Sequence, residues 1–137
     1  MNNNPKPNKH GRIIYEKGAK PKPHEELTAN ALKMAGYIVR FIPNNITIGT
    51  ADCCINNTIF EIKAPEGKTT ACIERNLRKA LNHQSPNIII DSFRTKGIRD
   101  NSIQSFLITR LQMRHGIKRI IFVNRKRKVI DINKLLS

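Results

Sequence analysis

The stretch from Asp52 to Lys63 constrains the fold of this chain most strongly. Two short apolar runs flank Asn56-Asn57, and asparagine tolerates the positive φ that a two-residue hairpin turn requires. With these two residues as the turn, Asp52 lies opposite Glu61. Lys63 shares the face of Glu61 because strand side chains alternate. The pattern therefore predicts a β-hairpin that gathers three charged groups at one end of one face, with an apolar opposite face fit for a core.

Two directly opposed carboxylates repel each other, and a cation between Asp52 and Glu61 would remove that cost. Hard cations take carboxylate oxygens, so we expect Mg²⁺, with Zn²⁺ or Mn²⁺ as alternatives. Lys63 would orient a water or stabilise the phosphate under attack. Glu25 and Glu26 lie in the first turn of a predicted helix, where they either stabilise its N-terminus or supply a third carboxylate. The alternative for Asp52, Glu61 and Lys63 is a solvated surface cluster of ion pairs without a catalytic role.

Charge indicates the kind of partner. The chain has 137 residues and a formal net charge of +15, from 25 Lys and Arg against 10 Asp and Glu. Such an excess fits a polyanion, which means DNA, RNA or an acidic protein. No apolar run approaches the length of a membrane-spanning helix, so we expect no membrane segment in this chain. Phosphate-binding glycine loops are missing from the sequence, which argues against a nucleotide cofactor.

Hydrophobic periodicity predicts an α/β fold. We expect residues 1–23 to be a disordered or loosely ordered basic arm, within which 13–15 either packs locally or forms a short strand. Residues 24–137 form the domain, in the order helix, three strands, helix, strand, helix, two strands. This order predicts a central mixed β-sheet flanked by helices. The helices are expected at 24–35, 70–83 and 101–115, and the strands outside the hairpin at 37–42, 87–91, 118–124 and 129–132, with 46–50 leading into the hairpin.

The histidines have no spacing that indicates catalysis. The alternative is a histidine-based ribonuclease with His24 or His83 as the candidates, but we expect each histidine to be structural: His10, His24, His83 and His115.

Asp52 followed by Glu61-Ile62-Lys63 resembles the PD-(D/E)xK nuclease signature, although Ala51 stands where the motif has proline. A longer pattern resembles the C-terminal tRNA-nuclease domains of bacterial contact-dependent growth inhibition toxins and related polymorphic toxins. The likeness covers residues 24–132. It rests on His24-Glu25, Thr28-Ala29, Gly36-Tyr37, Phe41-Ile42-Pro43, Thr50-Ala51-Asp52, Phe60 to Pro65, Ile73 to Arg78 and Gln84 to Asp91.

The resemblance implies a restriction-endonuclease-like core and a metal-dependent endonuclease that cleaves tRNA in a neighbouring cell. It also implies a cognate immunity protein, and a position at the C-terminal end of a secreted or cell-surface toxin that acts in the target-cell cytoplasm. Carried over by position, the metal ligands would be Glu25, Asp52 and Glu61, with Lys63 assisting the attack. Substrate contacts would be Arg75, Asn76, Arg78 and Gln84. Register favours Glu25 over Glu26 as the helix acid.

Two other functions stay open at this point. The same chemistry could act on DNA, because this type of site serves both polymers. A non-catalytic basic module that binds nucleic acid or an acidic protein would account for the charge alone, although binding needs no acids at Asp52 and Glu61.

Overall fold

A computed structural model describes residues 10–43, 52–113 and 115–137. The described part contains seven strands and four helices. In chain order they are β1 (Arg12–Tyr15), α1 (Pro23–Met34), β2 (Ile38–Phe41), β3 (Cys53–Ile55), β4 (Thr58–Lys63), α2 (Thr70–Asn82), β5 (Asn87–Asp91), α3 (Asp100–Met113), β6 (Arg119–Val123), β7 (Val129–Asp131) and α4 (Ile132–Leu135).

The strands form one mixed sheet in sequential order, from β1 at one edge to β7 at the other. The pairs β1–β2, β4–β5 and β5–β6 are parallel, whereas β2–β3, β3–β4 and β6–β7 are antiparallel. A helix connects each parallel pair, as parallel connections require. The α/β class with a mixed sheet and flanking helices is confirmed.

The central hairpin has the predicted register. Cys53 pairs with Phe60 and Ile55 with Thr58. Asn56 and Asn57 have φ values of 50° and 63°, the left-handed conformation that a tight hairpin turn demands. The turn chemistry therefore set the pairing, and with it the face on which each side chain of β3 and β4 lies.

Two hydrophobic clusters cover opposite faces of the sheet. Ile62 and Ile89 pack in the cluster that contains Leu32 of α1. Ile88 and Ile90 pack in the other, which contains residues of α2 and α3. The unbroken apolar run of β5 is explained by this arrangement, because a strand with helices on both faces has no wet side.

Within the expected N-terminal arm, residues 12–15 are a strand, which is one of the two alternatives predicted for 13–15. They form β1, which pairs in parallel with β2, and Ile13 packs against the cluster under α1. Paired backbone and the partly buried side chain of Ile13 hold this segment in the sheet. Residues 1–9 of the expected arm and the segment 46–50 lie outside the described residues.

The predicted helices and outer strands are present with ends shifted by one or two residues. The sequence did not predict α4, a short helix that follows β7 directly. Asp131 begins it, since its carboxylate accepts a hydrogen bond from the Asn133 N–H at 3.1 Å.

A buried ion pair joins the last turn of the sheet to α1. Asp91 is fully buried at the end of β5, and Arg127 donates to both of its carboxylate oxygens at 2.9 Å. Thr28 of α1 also donates to Asp91, at 2.7 Å, and Arg127 reaches the carbonyl oxygen of Leu27. These contacts fix the start of α1 beside the carboxyl ends of β4 and β5.

Across the described ranges, no helix is long and apolar enough to cross a bilayer.

Candidate active site

Asp52 lies directly before β3, with 7% of its surface exposed. Its backbone N–H donates to the Phe60 carbonyl at 3.1 Å, which continues the ladder of the hairpin by one residue. Its carboxylate oxygen Oδ2 accepts a hydrogen bond from the Ile62 N–H at 2.7 Å. The acid is therefore held against the backbone of β4, beside Glu61.

Glu61 and Lys63 form a close pair on β4. Glu61 is 1% exposed, and its Oε2 lies 2.6 Å from Nζ of Lys63. Their strand partners on β5 are Ile88 and Ile90, which belong to the cluster under α2 and α3. The structure thus brings together the acid–acid–lysine group that the hairpin register predicts.

Glu25 lies at the start of α1, where it is 8% exposed. Its Oε1 accepts a hydrogen bond from the Lys22 N–H at 2.9 Å, so the residue stabilises the beginning of its own helix. The negative charge of Glu25 nevertheless raises the pKa of Asp52. Glu26 instead accepts a hydrogen bond from the Tyr15 hydroxyl at 2.7 Å. Of the two adjacent acids, Glu25 is the one coupled to the site.

The pKa of Asp52 is raised to about 7. Burial is the largest cause, and the negative charge of Glu25 comes next. The Ile62 hydrogen bond and the Lys63 ammonium oppose the rise, whereas Glu61 adds to it. The site therefore carries more negative charge than its surroundings stabilise, and a cation would relieve that excess.

The donor atoms suit a hard divalent cation. Asp52 and Glu61 offer carboxylate oxygens, and Mg²⁺ is commonly bound through one or two carboxylates while it keeps several waters. Among residues 10–43, 52–113 and 115–137, no three His, Cys, Asp or Glu side chains are grouped as a ready-made metal site. The metal-ligand role of Glu25 stays a prediction.

Two histidines, His24 and His83, lie at this site, although the sequence favours a structural role for each of them. His83 follows α2, and its Nδ1 is 3.2 Å from Oε2 of Glu61. His24 precedes Glu25, and burial is the main cause of its lowered pKa. Arg94 and Lys63 also lower that pKa, while Glu25 opposes them. No sequence spacing connects His83 to Glu61; the short link from α2 to β5, the partner of β4, brings them together.

Arg94 was also missed. Its Nε and Nη2 donate to the Ala64 carbonyl at 3.1 and 2.9 Å, and its Nη1 lies 3.2 Å from a carboxylate oxygen of Glu66. The buried Thr95 donates to the Pro65 carbonyl at 2.7 Å. These contacts fix the segment that follows Lys63, so the lysine has a rigid support on its C-terminal side.

The predicted substrate-contact residues lie along α2 and just after it. Arg75 is exposed, and Arg78 pairs with Glu74 at 3.0 Å. The side-chain amide of Asn76 donates to the Cys72 carbonyl of its own helix. His83 lies seven positions after Asn76, which is about 10 Å along a helix. Gln84 alone is adjacent to a residue that contacts Glu61, and all four substrate roles stay predictions.

A solved structure of similar fold is the CdiA-CT/CdiI toxin and immunity complex from Burkholderia pseudomallei. A chain of that complex matches with a TM-score of 0.70 and 17% sequence identity, and the match covers 88% of this chain and 98% of that one. At this identity the likeness establishes the fold. This chain is therefore a mixed α/β domain with the fold of a chain from that complex.

The family follows from a sequence match. The family model for the contact-dependent growth inhibition CdiA C-terminal domain matches residues 49–129, more than half of the chain, and the chain belongs to that family. No curated protein matches the sequence significantly.

Proposed function

We propose that this domain is a toxic metal-dependent endonuclease that cleaves RNA, with tRNA as the favoured substrate. One observation carries the proposal: buried Asp52 and Glu61 lie beside the Lys63 ammonium, and the pKa of Asp52 is raised to about 7. Groups of buried acids with perturbed pKa values are typical of reaction sites. In a chain of net charge +15, the reaction would take place on a polyanion.

Each residue has a distinct part in this proposal. Asp52 and Glu61, with Glu25 as the third predicted ligand, would hold a divalent cation, which when bound lowers the pKa of water and neutralises charge on a phosphate. Lys63 carries a positive charge that stabilises the negative charge developing on the phosphate under attack. The basic surface increases the rate at which a polyanionic substrate arrives. Glu61, at 2.6 Å, keeps the Lys63 ammonium in place before substrate binds.

Support for tRNA comes from the extended sequence pattern around Glu61-Ile62-Lys63 and not from the site itself. The same three side chains would serve a DNA phosphodiester equally well. We therefore treat DNA cleavage as the second outcome of the experiment below.

The family also suggests how the domain is used. The solved relative is a toxin bound to its immunity protein. We propose that this chain is likewise the C-terminal part of a larger cell-surface toxin, enters the cytoplasm of a neighbouring bacterium, and is neutralised in the producer by a cognate immunity protein. A net charge of +15 favours an acidic face on that partner.

The substrate experiment incubates the purified domain with total tRNA and, separately, with plasmid DNA. Each reaction is run with Mg²⁺, Mn²⁺ or Zn²⁺ and with a chelator. We expect tRNA fragments in Mg²⁺ and none with the chelator. Cleavage of plasmid but not tRNA would assign the DNA alternative, and salt-sensitive binding without cleavage of either polymer would refute the nuclease assignment.

The residue experiment replaces Lys63 by methionine, which keeps an unbranched side chain only one atom shorter and removes its charge. We expect at least about a hundredfold loss of cleavage rate, the scale of losing one charge-stabilising contact in a transition state. Lys68→Met is the matched control, because Lys68 is an exposed lysine in the loop after β4. Undiminished cleavage by Lys63→Met, with the fold intact by circular dichroism, would contradict the role of Lys63.

A further inference from the structure

His83 makes a contact that the nuclease proposal does not use. Its Nδ1 lies 3.2 Å from Oε2 and 3.4 Å from Oε1 of Glu61. A carboxylate oxygen accepts hydrogen bonds, so Nδ1 is the donor in this contact. The donation is the same for a neutral and for a cationic imidazole. Because 40% of the His83 side chain is exposed while Glu61 is 1% exposed, the contact connects a buried acid to the surface.

Glu61 is held by two donors on one oxygen. Lys63 Nζ is 2.6 Å from Oε2, and His83 also approaches this atom most closely. Oε1 is 3.4 Å from His83 Nδ1, which leaves it the less engaged of the two oxygens. The two donors thus fix the rotation of the carboxyl group and determine which oxygen is free for a water or a cation.

The backbone around His83 is suited to this task. His83 closes α2, and its N–H donates to the carbonyls of Lys79 and Ala80. Gln84 then adopts a left-handed φ of 60°, and the N–H of Ser85 returns to the Ala80 carbonyl at 2.9 Å. This double closure is the geometry of a tightly fixed helix end. The imidazole is therefore carried by a rigid position and not by a loop.

We propose that His83 is a positioning residue that orients the Glu61 carboxylate for phosphodiester cleavage. The proposal rests on the nuclease function proposed above. With His83 removed, Lys63 is the remaining donor to the Glu61 carboxylate in the described contacts. The carboxyl group can then rotate toward the ammonium, and the free oxygen leaves its place. Groups that orient the acids of a reaction site typically affect activity by about 10–100-fold.

Three substitutions at one position test the contact atom by atom. His83→Ala removes the donor, and we expect kcat on tRNA to fall by about 10–100-fold with KM changed by less than about twofold. In His83→Asn the amide nitrogen lies where Nδ1 was, so most of kcat should return. In His83→Gln the nitrogen reaches the position of Nε2 instead, and we expect little rescue. His115→Ala is the matched control, since His115 is an exposed histidine in the loop between α3 and β6.

A measurement without substrate tests the same geometry. Nitrogen NMR of the imidazole should identify Nδ1 of His83 as protonated in the free domain. In Glu61→Ala, with folding checked by circular dichroism, the signals of His83 should change while those of His115 stay in place.

The outcomes separate this inference from the nuclease proposal. A wild-type domain inactive on both tRNA and plasmid would overturn the nuclease function and, with it, this role of His83. An active wild type with kcat unchanged in His83→Ala, rescue by glutamine and not by asparagine, or a ring protonated only on Nε2 would overturn the positioning role alone.

Discussion

Replacing Asp52 by asparagine should make the domain more stable, because the aspartate is buried at a cost. The amide has nearly the same shape as the carboxyl group, and its oxygen can accept the hydrogen bond from the Ile62 N–H. Burial and the charge of Glu25 raise the pKa of Asp52 from 3.8 to about 7 in the folded domain. A shift of about three units, at about 1.4 kcal/mol per unit, corresponds to about 4 kcal/mol.

The direction of the pH dependence follows from proton binding. Between its unfolded pKa of 3.8 and its folded value of about 7, Asp52 is ionised in the unfolded chain and protonated in the folded domain. The folded state therefore binds more protons, so its stability falls as pH rises through this window and levels off above it. The advantage of Asp52→Asn should be small near pH 4 and reach about 4 kcal/mol near pH 8.

The assay is urea denaturation followed by circular dichroism, at about pH 5 and about pH 8, with a chelator present. We expect the advantage of Asp52→Asn to grow by about 3 kcal/mol between the two conditions. Glu16→Gln is the control, because Glu16 is an exposed acid whose nearest cation, Arg40, lies at 3.6 Å. An advantage of Asp52→Asn that is equal at the two pH values would refute the reasoning. In a separate measurement at pH 8, added Mg²⁺ should stabilise the wild type but not Asp52→Asn.

Three substitutions elsewhere give further expected outcomes. Gln84→Gly should raise the free energy of unfolding by about 0.5–1 kcal/mol, since glycine adopts the left-handed φ of 60° without a steric cost; a lower melting temperature would contradict this. If Gln84 also contacts substrate, the same variant cleaves tRNA more slowly. Arg127→Met should destabilise the domain by about 3–5 kcal/mol, measured by urea denaturation, because it leaves Asp91 buried without its partner. Asn57→Ala should cost about 1 kcal/mol in the same assay, because alanine tolerates the φ of 63° less well; unchanged stability would argue against the turn.

Local chemistry made much of this fold predictable. The Asn56-Asn57 turn fixed the register of the hairpin, and the register placed Asp52 beside Glu61. The apolar run of β5 indicated a strand covered on both faces, as it is. The segment at β1 was harder, because a four-residue strand owes its order to pairing with β2 and not to its own composition.

The site was predictable only along the hairpin. Glu61 and Lys63 share a face by alternation, so the sequence brought them together. His83 and Arg94 reach the same region through helices and loops whose paths no short-range pattern encodes. Glu25 illustrates the limit: its position in a first turn left two alternatives open, stabilisation of its helix or a place among the acids, and the structure shows the capping hydrogen bond together with an effect of its charge on Asp52.

By itself, the sequence determined the hairpin, its charged end and the basic character of the whole domain, because turn preference, side-chain alternation and net charge are local or additive properties. Tertiary structure alone decided that His83 donates to Glu61, that Arg94 supports the segment after Lys63, and that Asp52 is buried deeply enough to hold its proton near neutral pH. Those contacts depend on how α2 and β5 pack against β4. The burial that raises the pKa of Asp52 exists only once the whole core has formed.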